Sequence, residues 1–340
     1  MRVALILTTI NIPTVLSLYR VHDPDVRFFV AGDYKTPVGI EGFWHDLDNC
    51  EYYSPERQKN YLSYKCSELI GWNTIARRNI ALLEALKWGA ELIVSIDDDN
   101  IPLGAAYFDC YRFSFLGNYA GLKAQPFGNW FDPGRLSFPR DRSGVSQRGF
   151  PSQCWTGSPR ITSVVGAKIG VAQGTILFDP DTSAVDRISQ HPEVHQVSEL
   201  LRAGIVTDPC ECYAPINTQN LAFVRELAPC FLMVPFYKRF DDIFGGFVAQ
   251  RIMREHGYHV HFGQPFAAQE RNAHDLLKDL EAELWGMQHT LEFAAWLDGF
   301  LGQTSVIGML RVMATNLPKF IPTSVQELWL AWLQDCEQVL

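Results

Sequence analysis

Three carboxylates stand side by side at Asp97, Asp98 and Asp99, directly after the apolar run Leu92-Ile93-Val94-Ser95-Ile96. That run has the length and β-branched content of a buried strand in a parallel sheet. Like charges crowded at an apolar strand end repel one another, so the arrangement calls for a positive partner. A divalent cation chelated by phosphates supplies one, and Mg²⁺ or Mn²⁺ takes oxygen ligands of this kind. Asp97 and Asp99 are the candidate metal ligands, and Asp98 stands on the nucleotide side with them. The plain alternative is a solvated acidic turn. Upstream, Arg77 and Arg78 fall at the start of a helical pattern, the wrong end for cations by the helix dipole. Arginines so placed commonly hold a phosphate or a carboxylate, and a surface pair is the other reading. A second acidic centre, Asp241-Asp242, is preceded by Lys238-Arg239 and followed by Gly245-Gly246. Capping of a helix N-terminus accounts for one of these carboxylates but hardly for two, and the glycines leave room for a substrate.

These residues need elements to position them. Ile75, Ile80, Leu83 and Leu86 recur at helical spacing, and Gly89 is a candidate C-cap, so the helix turns tightly into the Asp97–Asp99 strand. In open α/β sheets ligands bind beyond the carboxyl ends of the strands. Val3–Leu7 reads as a first strand ending in Thr8-Thr9-Ile10-Asn11, and Arg27–Ala31 as a second ending in Gly32-Asp33-Tyr34-Lys35. Residues 41–70 read as a long connection with one helix near 55–70. Pro180-Asp181-Thr182 reads as a capping turn before a helix, with Asp179 and Arg187 also able to reach the site. Tyr258–Pro265 reads as the last strand.

The run from Ala76 through Asn100, "ARRNIALLEALKWGAELIVSIDDDN", resembles the core of the STELLO proteins and of the reversibly glycosylated polypeptides, which include the UDP-arabinopyranose mutases. The likeness continues in "TTIN-P", "VAGDYKTP", the "RGFP" at Arg148, the segment Pro215–Phe223 and "KRFDDIFGGF" from Lys238. The resemblance implies a GT-A-type, Rossmann-like α/β nucleotide-sugar-binding sandwich, with UDP as carrier. It implies Thr8, Asn11, Asp33 and Lys35 facing the nucleotide, Arg148 facing the active site, and Asn217 and Asn220 meeting sugar hydroxyls. On the acceptor side it implies Asp242, ahead of Asp241, as the carboxylate that orients or deprotonates the acceptor. A histidine that completes the mutase metal site has its nearest substitute in His274. The sequence departs from the mutases where they carry a self-glycosylated arginine in an R-E-G run: Arg160 stands near that place without the context.

The 340 residues, 47% hydrophobic and with a net charge of −9, suffice for one large α/β domain or a domain with an appendage. The acidic balance argues against nucleic acid as a partner. The eight scattered cysteines lack paired zinc spacing and read as reduced thiols of a cytoplasmic protein. No apolar stretch reaches the length of a membrane span. The organisation expected is a GT-A-like catalytic domain over 1–280 and a C-terminal helical appendage over 281–340, whose aromatic stripe is a candidate core face or a surface for a homo-oligomer. The function expected is a metal-dependent glycosyltransferase that uses a UDP-sugar, with Mn²⁺ or Mg²⁺ as cofactor. Its alternatives are a UDP-sugar pyranose/furanose mutase and a non-catalytic partner subunit of a glycan-synthesis complex.

Overall fold

The computed structural model describes all residues except 38, 46, 138–144, 155–156, 271–274 and 303–304, and only the backbone of Glu41 and His45. Among the described residues ten strands form one mixed sheet. They are β1 (Val3–Thr9), β2 (Arg27–Gly32), β3 (Cys50–Tyr53), β4 (Leu92–Ile96), β5 (Asn100–Leu103), β6 (Asn118–Gln125), β7 (Arg160–Phe178), β8 (Ile205–Thr207), β9 (Asn220–Val224) and β10 (Tyr258–Gln269). One half, in the order β3-β2-β1-β4, is parallel. β9 then runs antiparallel to both β4 and β7, and β10 runs parallel to β7.

The parallel half explains where a ligand can bind. β4 is buried along its whole length, as a continuous apolar run between two covered faces must be. Thr9 lies opposite Gly32, and Ile6 opposite Ser95, so the carboxyl ends of β1, β2 and β4 stand next to one another. The loops that leave them, from Ile10, Asp33 and Asp97, therefore open on the same edge.

The helix Arg78–Trp88 feeds β4 as its apolar spacing predicts. Gly89 ends it at φ 87°, a left-handed position in which its N–H caps the helix. A side chain there would strike the Arg2 guanidinium. Residues 41–70 differ from expectation. In place of one helix this stretch holds the edge strand β3 and three short helices, Ile40–His45, Pro55–Asn60 and Cys66–Ile70. Ser54 accepts from the Arg57 N–H and Pro55 takes the first helical position, so a local signal for the second of these helices was present. The Asp97–Asp99 turn is also followed by a strand, β5. Its Pro102 is tolerated because β5 lies at the end of the sheet order, paired antiparallel with β10.

Beyond residue 275 come the helices Leu276–Asp298, Val306–Thr315 and Thr323–Val339. Their apolar faces join the core that covers one side of the sheet: Phe293, Met309 and Trp332 belong to the same buried cluster as Ile80, Leu83 and Phe244. Trp332 donates from Nε1 to the Pro229 carbonyl at 2.8 Å. Asp335, with no exposed surface, accepts from the N–H groups of Lys65 and Cys66 at 2.9 and 2.8 Å and so caps the helix Cys66–Ile70. The opposite face of the sheet is covered by a second cluster that includes Leu7, Tyr19, Val94 and Tyr107. No helix among the described residues is long and apolar enough to cross a membrane.

Gly286 shows how closely the long C-terminal helix approaches the second acidic centre. A Cβ at this position would lie 2.1 Å from Cγ of Phe240, the residue before Asp241. Alanine in a helix interior ordinarily gains about 1 kcal/mol over glycine. Here overpacking, at about 1–3 kcal/mol, opposes that gain. Gly286→Ala is therefore expected to lower stability, measured by urea denaturation; a gain would show that the contact yields.

Candidate active site

One cleft of about 490 Å³ receives both acidic centres. Its wall includes Thr8, Thr9 and Ile10 from β1 and its loop, Asp33 and Lys35 from the loop after β2, and Asn73, Thr74 and Arg78 from the helix entrance. Asp97, Asp98 and Asp99 follow β4, and Arg148, Asp181, Thr218, Gln219, Lys238, Arg239, Asp241, Asp242 and Gln269 complete the polar lining. Residues 97–99 and 241–242, far apart in the chain, thus share one site.

The three adjacent aspartates have different partners. Asp97 accepts from Arg78 Nη2 at 2.5 Å, and Arg78, almost fully buried, also donates to Thr218 Oγ1 at 2.9 Å. Asp98 accepts from Thr9 Oγ1 at 2.6 Å and from Asn11 Nδ2 at 3.2 Å. Burial nevertheless raises its pKa. Asp99 accepts from Gln269 Nε2 at 3.3 and 3.2 Å. Asp33 accepts from the backbone N–H groups of Tyr34, Asn73 and Thr74 at 2.6, 2.8 and 3.0 Å, which ties the β2 loop to the helix entrance.

The second centre is organised by Arg148. Its Nε donates to both oxygens of Asp181 at 2.8 and 3.0 Å, and its two terminal nitrogens donate to Asp242 at 3.2 and 3.3 Å. Nη1 also donates to the Arg239 carbonyl. Burial works against the guanidinium charge, but Asp181 and Asp242 together hold its pKa well above the usual value. Asp242 accepts in addition from the N–H groups of Ile243 and Thr218 at 2.9 and 3.2 Å. Asp241 has far fewer partners. Its Oδ1 accepts from the Asp242 N–H at 2.9 Å, and Oδ2 accepts no hydrogen bond among the described residues. Burial, with the neighbouring Asp242 charge, pushes its pKa up to about 7.

Several residues expected at the site lie elsewhere. Arg77 is fully buried, donates to Gln58 Oε1 and to the carbonyls of Ser67 and Gly71, and lies 4.0 Å from the Trp72 ring centroid. It braces the helix entrance and does not line the cleft. Asn220 is a core residue whose Oδ1 accepts from Tyr107 and Tyr111 hydroxyls at 2.5 and 2.7 Å. Asn217 stands behind the cleft, donating to Asp181 Oδ2 at 2.8 Å. Asn11 does not line the cleft and meets it through Asp98 and through the Thr9 hydroxyl. The turn at Asp181 also reads differently: Ser183 is the helix cap, and Asp181 accepts from Arg148. Arg187 bonds Asp179 and the Pro180 carbonyl, and neither side chain lines the cleft. Arg160 opens β7, exposed and outside the cleft. His274 lies outside the described residues. Gln269 and Lys238 join the site without having been singled out. Gln269 ends the last strand and carried no sequence signal, whereas Lys238 stood in the run that leads to Asp241.

The lining carries seven carboxylates (Asp33, Asp97, Asp98, Asp99, Asp181, Asp241 and Asp242) against five cations (Lys35, Arg78, Arg148, Lys238 and Arg239). The formal excess of negative charge suits a cation. No three His, Cys, Asp or Glu side chains among the described residues converge as a ready-made metal cage. Two carboxylates, completed by phosphate oxygens and water, is how Mg²⁺ is commonly held at nucleotide sites.

No protein-family model matches the chain, and no curated protein matches it. Among solved structures it is similar to a crystal structure of a mycobacterial protein, with a TM-score of 0.42 and 11% identity over 86% of this chain and 75% of that one. It is similar also to glucosyl-3-phosphoglycerate synthase from Mycobacterium tuberculosis in complex with Mg²⁺ and UDP, with a TM-score of 0.41 and 10% identity over 86% and 79%. A second structure of that synthase gives 0.40 and 10% over 89% and 82%. Likeness at this level says nothing about the chemistry of the cleft.

The raised pKa of Asp241 sets a pH dependence. Its proton is bound more tightly in the folded chain, at about 7, than at the ordinary 3.8. The folded state therefore loses stability relative to the unfolded one as pH rises through that window. Asp241→Asn keeps the acceptor for the Asp242 N–H and removes the charge. The variant is expected to be more stable than the parent at pH 8, with the difference shrinking towards pH 4. Urea denaturation across that range checks the sign.

Proposed function

We propose that the chain is a GT-A-type glycosyltransferase that takes its sugar from a nucleoside diphosphate, read as UDP, with Mg²⁺ or Mn²⁺ as cofactor. The observation that carries this reading is the convergence of three strand-end loops, from β1, β2 and β4, with the Asp241–Asp242 pair in one cleft. On the donor side Thr8 and Thr9 face the nucleotide. Asp33 spends its carboxylate on backbone N–H groups and shapes the nucleotide pocket. Lys35, exposed and unpaired with any carboxylate among the described residues, is the cation for a phosphate. Asp97 and Asp99 would hold the metal, while Asp98, bonded to Thr9 and Asn11, keeps the β1 loop beside them. When bound, the divalent cation supplies positive charge to the leaving diphosphate.

On the acceptor side the partners favour Asp241 over Asp242, the reverse of the sequence reading. Burial raises the pKa of Asp242 too, but a guanidinium and two backbone N–H groups oppose that shift and fix the carboxylate in place. Among the described residues Asp241 accepts nothing at Oδ2, and burial beside the Asp242 charge raises its pKa, which makes it the better proton acceptor of the two. As the acceptor hydroxyl oxygen bonds to the anomeric carbon and the bond to the diphosphate breaks, the hydroxyl proton passes to Asp241. The mutase reading would want an arginine in the cleft near Arg160, and Arg160 does not line it.

Two outcomes test this. Asp99→Ala is expected to abolish metal-dependent UDP binding while the circular dichroism spectrum stays unchanged. Calorimetric UDP titrations in Mn²⁺ and in EDTA are the measurement, and equal affinities in the parent protein would remove the metal from the reading. Asp241→Asn should keep UDP affinity and lower UDP release from a panel of UDP-sugars by about 10²-fold or more. Full activity in Asp241→Asn, with loss in Asp242→Asn, would return the role of base to Asp242.

A further inference from the structure

Lys238 lines the cleft three residues before Asp241 and has φ 51°, ψ −122°. That is the conformation of the first central residue of a type II′ turn, a position dominated by glycine because a Cβ is strained there. Neighbouring bonds hold it in place. The Asp241 N–H donates to the Lys238 carbonyl, and the next carbonyl, that of Arg239, accepts from buried Arg148. The Arg239 side chain is bridged to Glu283 at 2.9 Å and to Asp279 at 3.5 Å. Glycine would follow the same path with less strain, so the turn alone gives no reason for a lysine. Residues held in such conformations against their own cost cluster at ligand sites.

The charges around it point to the reason. Arg78 is paired with Asp97, Arg148 with Asp181 and Asp242, and Arg239 with Glu283 and Asp279. Lys238 is exposed to the cleft and pairs with no carboxylate among the described residues. The donor side has its own cation in Lys35, unpaired among the described residues. Lys238 is joined by a backbone hydrogen bond to the residue assigned to the acceptor's proton.

We infer that Lys238 binds an anionic group, a phosphate or a carboxylate, on the acceptor, so that the acceptor class is a hydroxyl compound bearing a negative charge and not a neutral sugar. This rests on the glycosyltransferase reading above. The cleft carries excess negative charge, so an anionic acceptor needs such a cation at its own end.

The test is a calorimetric titration of the protein saturated with UDP and Mg²⁺, using glycerol 3-phosphate, glycerate and glycerol as matched probes. At least one of the anions is expected to bind and glycerol is not; which anion binds separates phosphate from carboxylate. Lys238→Gly should weaken the anion about tenfold or more, the scale of one charged hydrogen bond, and leave UDP affinity unchanged. It should also raise the melting temperature, because the strain is relieved. Lys238→Arg should retain the anion, and Lys238→Gln gives a neutral variant with the parent backbone should the glycine variant fold poorly. Three results would overturn the inference: no anion binding by the parent protein, glycerol binding as tightly as the anions, or Lys238→Gly losing UDP affinity in place of anion affinity. Failure of the underlying reading looks different: the parent protein would not bind UDP with Mg²⁺. The same Lys238 comparison on the free protein then decides whether the residue holds an anion.

Discussion

The buried Arg148 guanidinium is the interaction on which the second half of the site depends. It sits between Asp181 and Asp242, three charged groups almost wholly removed from water. A buried charge is tolerable only when paired and fully hydrogen-bonded, and removal of one member of such a set typically costs about 3–5 kcal/mol. The arrangement meets that condition by drawing on distant parts of the chain. Asn217 donates to Asp181, Thr218 donates to Asp242, and the Arg239 carbonyl takes a further guanidinium N–H. Those attractions and hydrogen bonds oppose the cost of burying so much charge, and they tie the start of the helix Asp241–His256 to the segments after β7 and before β9. Within this group, and among the described residues, Asp241 keeps an oxygen that accepts no hydrogen bond.

Much of the fold was legible because its strongest elements are those that parallel sheets impose. β1, β2 and β4 are short apolar runs buried on both faces, and the helix Arg78–Trp88 carries its period and its glycine cap in full view. What escaped were elements whose stability is borrowed. β3 and β5 are four residues long, lie at the ends of the sheet order and are only partly buried, so their pairing partners make them strands. The helices Pro55–Asn60 and Cys66–Ile70 are a turn or so each, and the second is capped by an aspartate 269 residues away.

The site divides in the same way. Residue types marked where chemistry could occur, at residues 97–99 and 241–242, because clusters of like charge are conspicuous in one dimension. Which member of each cluster is available is decided by long-range partners. Arg77 and Arg78 are adjacent, yet successive positions at a helix start point about 100° apart. One arginine braces the core through Gln58 and Ser67, and the other meets Asp97. Asn217 and Asn220 had the right chemistry for sugar hydroxyls, but buried tyrosines and Asp181 claim them first. The preference between Asp241 and Asp242 turned on a guanidinium more than ninety residues upstream.

The cap provided by Asp335 has a consequence for how the chain is made. The helix Cys66–Ile70 stands next to Arg77 and the entrance that Asp33 ties down, yet its first N–H groups wait for a carboxylate 270 residues later. Translation proceeds from the N-terminus at roughly 5–20 residues per second. The nucleotide-side half is therefore synthesised many seconds before the carboxylate that caps this helix. The hydrogen bonds of that helix start are completed only by the helix Thr323–Val339, so the order of synthesis sets when this support behind Arg77 is in place.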